Sequence, residues 1–384
     1  MDISDPSGPL PKIALVRQRY TSFGGAERFV DRALRALRQQ SAELTLITRR
    51  WKGDPQFHIQ RCAPFYLGRL WRDWSFARCV CKHVSEQAYD LVQSHERIAC
   101  CDIYRAGDGV HREWLSQRNR VLNRASRLAQ GWNPYHRYVL AAERRLFASP
   151  RLKAVICNSR MVKQEIQHYF GVDDEKLHVI YNGVDTEAFH PRLRAEHRQA
   201  MRWHWRIPED APLFLFVGAG FERKGVPALL QAMEQLPPRV HLLIVGKDKK
   251  MAHYRRQAAQ AGLRNRVLFA GPQRDVRPYY GASDVLVLPT LYDPFPNAAL
   301  EAMAAGLPVI TSTKCGTADV IENGRNGFVC DALAADTLAE HMQMLCSPQA
   351  RESMGAAARA TAEPLTLDNM SQQLFDLYLG LLPR

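Results

Sequence analysis

The residues best placed to do chemistry sit in one stretch, Pro289-Thr-Leu-Tyr-Asp-Pro-Phe-Pro-Asn-Ala-Ala-Leu-Glu301. Asp293 and Glu301 are two carboxylates separated by seven residues. Just ahead, Asp284-Val-Leu-Val-Leu288 is short, apolar and β-rich, which predicts a buried parallel strand. Just behind, Ala298 to Ala305 predicts a helix of good formers, closed by Gly306 and followed by Pro308. Pro294 and Pro296 fit a loop or a first helical turn. Asp293 is therefore expected at the carboxyl end of a strand, beside the free N–H groups of a helix start. Glu301 is expected one turn in, leaning back toward that start. Such a pocket can hold an anion on its amides and hydroxyl-rich groups on its carboxylates.

The elements needed to position this stretch recur twice along the chain. In the first half, Lys12–Arg17 reads as a strand, Phe23-Gly24-Gly25-Ala26-Glu27-Arg28 as a glycine loop, and the apolar spacing after it as a helix. Leu44–Thr48 is the next strand, so the order is a βαβ opening and a parallel sheet is expected. The glycine pair lets backbone approach a ligand, although a tight turn alone would explain it equally well. Strands follow near Asp90–Ser94, at Ala154–Ser159 with a polar end and at Leu177–Tyr181, and Asn158 and Ser159 fit a helix cap. Residues 186–210 are polar and basic and read as an interdomain connection with a short helix. Their histidines, His190, His197 and His204, read as surface groups.

A second α/β pattern then restarts with Leu213–Val217, the loop Gly218-Ala-Gly-Phe-Glu-Arg-Lys-Gly225 and a helix over Val226–Leu236. Further strands are expected at His241–Val245, Arg266–Phe269 and Val309–Ser312, and a short exposed helix over Asp275–Ala282. An amphipathic helix from Leu367 to Leu381 ends the chain. The fold class is thus α/β with two Rossmann-like domains.

The chain has 384 residues, of which 46% are hydrophobic and 24% charged, an ordinary globular balance with room for two cores. Its nine cysteines form no CxxC pair and read as reduced, buried thiols of a cytosolic protein. The N-terminal residues do not have the pattern of a signal peptide, and no apolar run is long enough to span a membrane. No GxxxxGK[ST], GxSxG, HExxH or Asp-x-Asp pattern occurs, so neither a P-loop nor a carboxylate-held metal site is expected. The formal charge of +13 is uneven. Residues 1–185 hold 30 Lys and Arg against 19 Asp and Glu, and residues 186–384 hold 22 against 20. An anionic partner on the first half is the expectation: a membrane surface, a phosphorylated acceptor or nucleic acid. Residues 113–130 read as one amphipathic helix with interleaved Arg118, Arg120, Arg124 and Arg127, facing either the core or anionic lipid.

Taken together, Gly24-Gly-Ala-Glu27, Cys157-Asn-Ser159, Ile180-Tyr-Asn-Gly-Val-Asp185, Arg223-Lys-Gly225 and the pair Asp293–Glu301 resemble the motifs of the GT-B glycosyltransferases, and more narrowly retaining family 4. Within the family, Gly218–Val226, Val245–Lys249 and Cys101–Asp108 are similar to the lipopolysaccharide core glucosyltransferases.

The resemblance implies a cleft between an acceptor-binding domain, residues 1–185 with 366–384, and a donor-binding domain, residues 186–365, with the last helix crossing back to the first domain. It implies that Glu301 bonds the ribose of a nucleotide-sugar, that Asp293 reaches the donor sugar, and that Asn297 lies in the donor site. Lys224 and Arg223 would neutralise the diphosphate as it leaves. Gly24 and Gly25 would bring backbone N–H groups to the phosphates. Asp108 would receive the acceptor proton or orient its hydroxyl, with Asp102 as the alternative.

It further implies a hexosyltransferase with no cofactor and no metal. The donor would be UDP-glucose and the acceptor a heptose of the lipopolysaccharide core or another lipid-linked glycan. The enzyme would lie peripherally on the cytoplasmic face of the inner membrane, with no nucleic acid partner.

Two departures bear on sugar choice. The family's first glutamate is Asp293 here, one methylene shorter, and Pro296 and Asn297 replace the more usual small or aliphatic residues near the loop. Separately, Ala219 stands where many members carry arginine, a charge that Arg223 would supply. Two rival readings remain: a same-fold enzyme with another sugar, another acceptor or an epimerase outcome, and a basic binding protein without catalysis.

Overall fold

A computed structural model describes residues 11–21, 43–52 and 58–382. Gly24, Gly25 and the helix expected after them lie outside the described residues. The chain divides into two compact units, Met1–Asn182 with Leu367–Arg384, and Gly183–Thr366.

In the first unit the described elements are β1 (Lys12–Val16), β2 (Arg19–Thr21), β3 (Glu43–Thr48), β4 (Arg50–Lys52), β5 (His58–Arg61), α1 (Gly68–Glu86), β6 (Leu91–Ser94), β7 (Ile103–Arg105), α2 (His111–Asn119), α3 (Arg124–Trp132), α4 (Pro134–Phe147), β8 (Ala154–Cys157), α5 (Arg160–Phe170) and β9 (Leu177–Val179). Seven strands pair in parallel in the order β5-β3-β1-β6-β7-β8-β9, and β2 with β4 form a separate ribbon. β1, β6, β7 and β8 are short runs of mostly apolar residues, buried nearly end to end, as strands covered on both faces must be.

The second unit holds α6 (Leu193–Trp205), β10 (Leu213–Val217), α7 (Val226–Glu234), β11 (His241–Val245), α8 (Met251–Gln260), β12 (Val267–Gly271), α9 (Arg277–Ala282), β13 (Val285–Leu288), α10 (Asn297–Ala304), β14 (Val309–Ser312), β15 (Gly327–Cys330), α11 (Ala335–Met344) and α12 (Pro348–Ala362). Its six parallel strands run β12-β11-β10-β13-β14-β15. The final helix, α13 (Leu367–Leu381), belongs to the first unit. Met370, Leu374 and Tyr378 of α13 join Ile13, Leu46 and Ile103 in that unit's core, and the Tyr378 hydroxyl donates to Gln93.

Both sheets are doubly wound: strand order grows outward in both directions from a central pair. The switch falls between β1 and β6 in one sheet and between β10 and β13 in the other. Loops at the carboxyl ends of such a pair diverge and leave a crevice, where ligands of open α/β sheets bind.

Three expectations need correction. Cys81 and Cys100 are joined by a disulfide, with Cα atoms 5.6 Å apart, so the thiols are not all reduced. No spacing motif signals this bond, because packing of α1 over the turn after β6 brings its ends together. The stretch 113–130 is two helices, α2 and α3, broken at Arg120–Asn123, with the Asn123 side chain accepting from the Ser126 N–H. The residues that α2 buries are Glu113 and Gln117 rather than an apolar face. The helix expected to be exposed over Asp275–Ala282 is α9, and its Tyr279, Tyr280, Gly281 and Ala282 are buried.

The buried face of α9 packs against α6, and charge fixes the contact. Arg202 is fully buried and donates to the carbonyls of Ala282, Pro208, Glu209 and Ala211 and, at 2.7 Å, to Asp284. Arg198 (3.0 Å) and Arg194 (3.2 Å) reach the other Asp284 oxygen, and the Leu213 N–H donates to Asp284 at 2.9 Å. Burial alone would push the Asp284 carboxyl up, but Arg202 and Arg198 outweigh it and hold the carboxyl below its usual range. A carboxyl depressed in the folded state adds stability above its unfolded value of about 3.9 and loses it as pH falls through the folded value. Arg202→Ala is therefore expected to destabilise the second unit by about 3–5 kcal/mol. Asp284→Asn is expected to destabilise it at pH 7, by a margin over wild type that narrows below about pH 4. Urea titrations at pH 7 and pH 3.5, followed by the fluorescence of Trp203 and Trp205, measure both.

Candidate functional site

At the switch of the second sheet, the loop after β10 carries Arg223 and Lys224, and the loop after β13 carries Asp293 and leads into α10 with Asn297 and Glu301. The two loops are laced together by backbone. The Leu291 N–H donates to the Arg223 carbonyl at 2.8 Å, and the Thr290 hydroxyl donates to the same carbonyl at 3.0 Å. Gly225 has φ of +83°, and a Cβ there would lie 1.8 Å from the Pro289 carbonyl oxygen. Only glycine permits this approach.

That lacing brings three of the residues singled out from sequence, Arg223, Lys224 and Asp293, into contact. The Lys224 ammonium is in direct contact with Asp293 Oδ2, and both groups are largely buried. Arg223 Nη1 reaches the same oxygen at 3.5 Å and the Tyr292 carbonyl at 3.0 Å. Asp293 is itself held by backbone: its N–H donates to the Lys314 carbonyl, and its carbonyl accepts from the Gly316 N–H at 2.8 Å. Glu301 is buried one turn into α10, where the Tyr280 hydroxyl lies 3.0 Å from its Oε2. Asn297, partly buried, is the first residue of that helix.

Sequence reasoning missed Tyr280. Its ring packs edge-on against Phe189 at 5.6 Å between centres. The only cue was a tyrosine pair on a helix wrongly taken as exposed.

In the first unit, β7 separates the two candidates for the acceptor proton. Asp102 precedes β7, at the amino end of the sheet. It accepts from the Val92 N–H at 2.9 Å and pairs with Arg151 at 3.3 Å and Lys153 at 3.8 Å, which makes it structural. Asp108 follows β7 at the carboxyl end, is exposed, and has Arg97 at 3.9 Å. Arg97 is fixed in turn by Glu143 at 2.8 Å and by the Gly109 carbonyl at 3.1 Å. His111 stacks near His136, with ring nitrogens 3.1 Å apart, and is pushed down to about 3 by burial, then by Arg97 and His136. It is neutral across the physiological range and carries no proton to donate as imidazolium. Among the described residues no group of three or more His, Cys, Asp or Glu is placed to hold a metal ion.

Two doubly wound units, one with basic side chains and a buried carboxylate at its switch point, define a nucleotide-handling α/β enzyme. The profile of the group 1 glycosyl transferases matches residues 197–361, and that of glycosyltransferase family 4 matches residues 23–188. Together these matches span well over half of the chain, and the protein belongs to the family 4, group 1 glycosyltransferases, retaining enzymes of the GT-B fold that use nucleotide-sugars.

The chain is 24% identical to the lipopolysaccharide glucosyltransferase WaaG of Escherichia coli over 96% of its own length and 98% of that protein's. It is 28% identical to a D-inositol 3-phosphate glycosyltransferase of Xylanimonas cellulosilytica over 77% of this chain and 73% of the other. The crystal structure of WaaG superposes with a TM-score of 0.81 at 24% identity, covering 95% of this chain and 99% of that one. Anabaena HepE in complex with UDP and glucose gives a TM-score of 0.72 at 21% identity, covering 96% and 99%.

The close approach at Gly225 can be tested against a glycine with room around it. Gly262 also has positive φ, at +72°, but nothing lies within 4 Å of a Cβ placed there. Gly262→Ala should lose roughly 1–3 kcal/mol from backbone strain. Gly225→Ala should lose more, because the Pro289 carbonyl must also give way to the added Cβ. Equal urea midpoints for the two variants would show that the Pro289 contact is not a constraint.

Proposed function

We propose that the protein transfers glucose from UDP-glucose to a heptose of the lipopolysaccharide inner core, with retention at the anomeric carbon. The observation that carries this reading is the contact of Lys224 and Arg223 with Asp293 at the switch point, ahead of the helix in which Glu301 is buried one turn in. Glu301, steadied by Tyr280, takes the ribose hydroxyls. Asp293 addresses the donor sugar, and Asn297 lies at the start of the same helix. Lys224 and Arg223 neutralise the diphosphate as the glycosidic bond to it breaks, acting where negative charge develops. The family resemblance assigns the phosphates also to Gly24 and Gly25, which lie outside the described residues. Asp108 orients the accepting hydroxyl or receives its proton. The glucose and core assignments are supported by the names of the relatives, WaaG above all.

A peripheral position on the cytoplasmic face of the inner membrane belongs to the same reading. No helix among the described residues is long and apolar enough to cross a membrane. Surface apolar groups support contact with one. On α3, Leu128 is 68% and Trp132 76% exposed. Phe65, Leu67 and Trp71, at and before the start of α1, are exposed as well. Both helices pack against α4, and Arg69, Arg124 and Arg127 lie among these residues. Arginines beside exposed aromatics suit an anionic lipid surface. The likeness to D-inositol 3-phosphate glycosyltransferases favours a second reading, a small phosphorylated polyol as acceptor.

Donor hydrolysis across UDP-, GDP- and ADP-sugars should be fastest with UDP-glucose, and a preference for a GDP- or ADP-sugar would overturn the donor assignment. Lys224→Ala should lower kcat by about 10²–10³-fold; turnover near the wild-type rate would remove Lys224 from the leaving group. Glu301→Ala should act mainly on KM for the donor. Tyr280→Phe should raise that KM roughly fivefold, the worth of about one hydrogen bond, with kcat little changed. UDP lacking its ribose hydroxyls should bind Glu301→Ala, Tyr280→Phe and wild type alike. For the membrane, cosedimentation should rise with anionic lipid in the vesicles and fall with salt; equal pelleting on neutral vesicles would count against it.

A further inference from the structure

A groove runs between α1 and α4, floored by the turn that follows β6. Two adjoining cavities form it and share Ala77, Arg97, Ile98, Tyr138 and Ala142. The inner one also meets Asp73 and Glu96, whose charges are taken up by neighbours. Arg72 at 2.7 Å, Gln18 at 3.0 Å and the Tyr135 hydroxyl at 3.1 Å bond Asp73, and the Gln18 N–H donates to Glu96 at 3.0 Å. The outer cavity, of about 330 Å³, differs in sign. Its lining holds Arg78, Arg97 and Arg145 and no acidic residue.

Arg97 is committed to Glu143 and the Gly109 carbonyl. Arg78 and Arg145 are exposed, and among the described residues neither is paired with a carboxylate. The Arg78 guanidinium lies 5.7 Å from the ring centre of Trp74, which walls the same cavity and is 44% exposed. The disulfide from Cys81 to Cys100 ties this wall to the floor.

We propose that this groove is an acceptor subsite for an anionic sugar, one that carries phosphate or carboxylate and adjoins the sugar being glycosylated. Three features favour that occupant. Arginine forks bind phosphate and carboxylate in a bidentate way. Trp74 and Tyr138 present flat apolar faces with polar edges, which suit the alternating character of a sugar ring. One side chain links the groove to the acceptor group, since Arg97 lines both cavities and lies 3.9 Å from Asp108. A lipid surface fits less well, because this recess lies between two helices and offers an apolar floor of Ile98, Ala99 and Ala142. The proposal rests on the reading of Asp108 as the group that meets the accepting hydroxyl.

The test uses the full chain with Arg78→Gln and Arg145→Gln combined. The acceptor probes are a lipid-free, heptose-containing core oligosaccharide and the same oligosaccharide after phosphatase treatment and carboxyl reduction. UDP-glucose hydrolysis without acceptor reports an intact donor site, and the single Arg145→Gln variant serves if the pair loses it. The Gln pair should raise KM for the anionic oligosaccharide about tenfold or more, with kcat and hydrolysis unchanged. It should leave KM for the neutralised oligosaccharide as it was, and Arg78→Lys with Arg145→Lys should recover part of the loss. Unchanged KM for the anionic probe, or an equal rise for both probes, would overturn the subsite. So would weaker pelleting on anionic vesicles with KM unchanged, which would assign the arginines to lipid. Failure of the acceptor reading itself looks different: the wild type would then hydrolyse UDP-glucose yet glycosylate neither probe, and the subsite would fall with it.

Discussion

The pairing of β10 with β13 is the constraint on which the candidate site of the second unit depends. Phe214 stands beside Val285 and Leu215 beside Leu286, in parallel register at the centre of the second sheet. Every later strand is added outward from that pair, so the chain leaves their carboxyl ends in opposite directions. Two loops that diverge in this way would ordinarily drift. Here one carbonyl, that of Arg223, accepts from the Leu291 N–H and the Thr290 hydroxyl. The bare Cα of Gly225 lies against the Pro289 carbonyl. Lys224 is thereby delivered to Asp293 by backbone rather than by the reach of a long flexible side chain. Little side-chain entropy is left to lose on ligand binding, which is the physical content of a preorganised site.

The two ends of β13 show how context decides what a buried carboxylate is for. Asp284, just before the strand, is enclosed by three guanidiniums and a backbone N–H, and Arg202 saturates its remaining donors on four carbonyls. Every polar atom has a partner inside the fold, so the cluster acts as a fastening between α6 and the sheet. Asp293, just after the strand, has Lys224 and a more exposed Arg223. An ion pair in such a place returns little net stability, because desolvation consumes most of the attraction. The proposed function gives the pair a use, charge held ready for an anionic ligand. The same logic separates Asp102 from Asp108 across β7 in the first sheet.

Much of this architecture was legible in the sequence because parallel strands buried on both faces are written as short apolar runs. Leu213–Val217, His241–Val245 and Val309–Ser312 could be read directly, and the spacing from Asp293 to Glu301 with its prolines located the loop and helix between strands. What could not be read was set by packing between distant segments. The Cys81–Cys100 bond depends on how α1 lies over the turn after β6. Tyr280 is buried because α6 covers α9, and no local pattern in Arg277–Ala282 announces that cover. The break between α2 and α3 was missed because Val121, Leu122, Leu128 and Ala129 imitate an uninterrupted apolar face. Asn123 offers its side chain as a cap, and Glu113 and Gln117 turn inward to bond each other, with Tyr169 on the carboxylate's other oxygen.

The basic excess of the first half also reads differently once the side chains are placed. Part of it is internal. Arg49 is buried and donates to the Pro64 and Arg72 carbonyls and to Ser75. Arg97 serves Glu143, and Arg105 is buried with a bond to Asn182. These arginines stitch loops to the sheet. The charge that does face outward gathers on α1, α3 and α4, beside the exposed rings of Trp71, Trp74 and Trp132. A net charge counted from sequence therefore does not show where a partner would meet the guanidiniums themselves. For a partner with several negative groups, a few arginines on one helix layer beside aromatic surface matter more than the sum over the half, because screening limits each contribution to about a Debye length of roughly 8 Å at physiological salt.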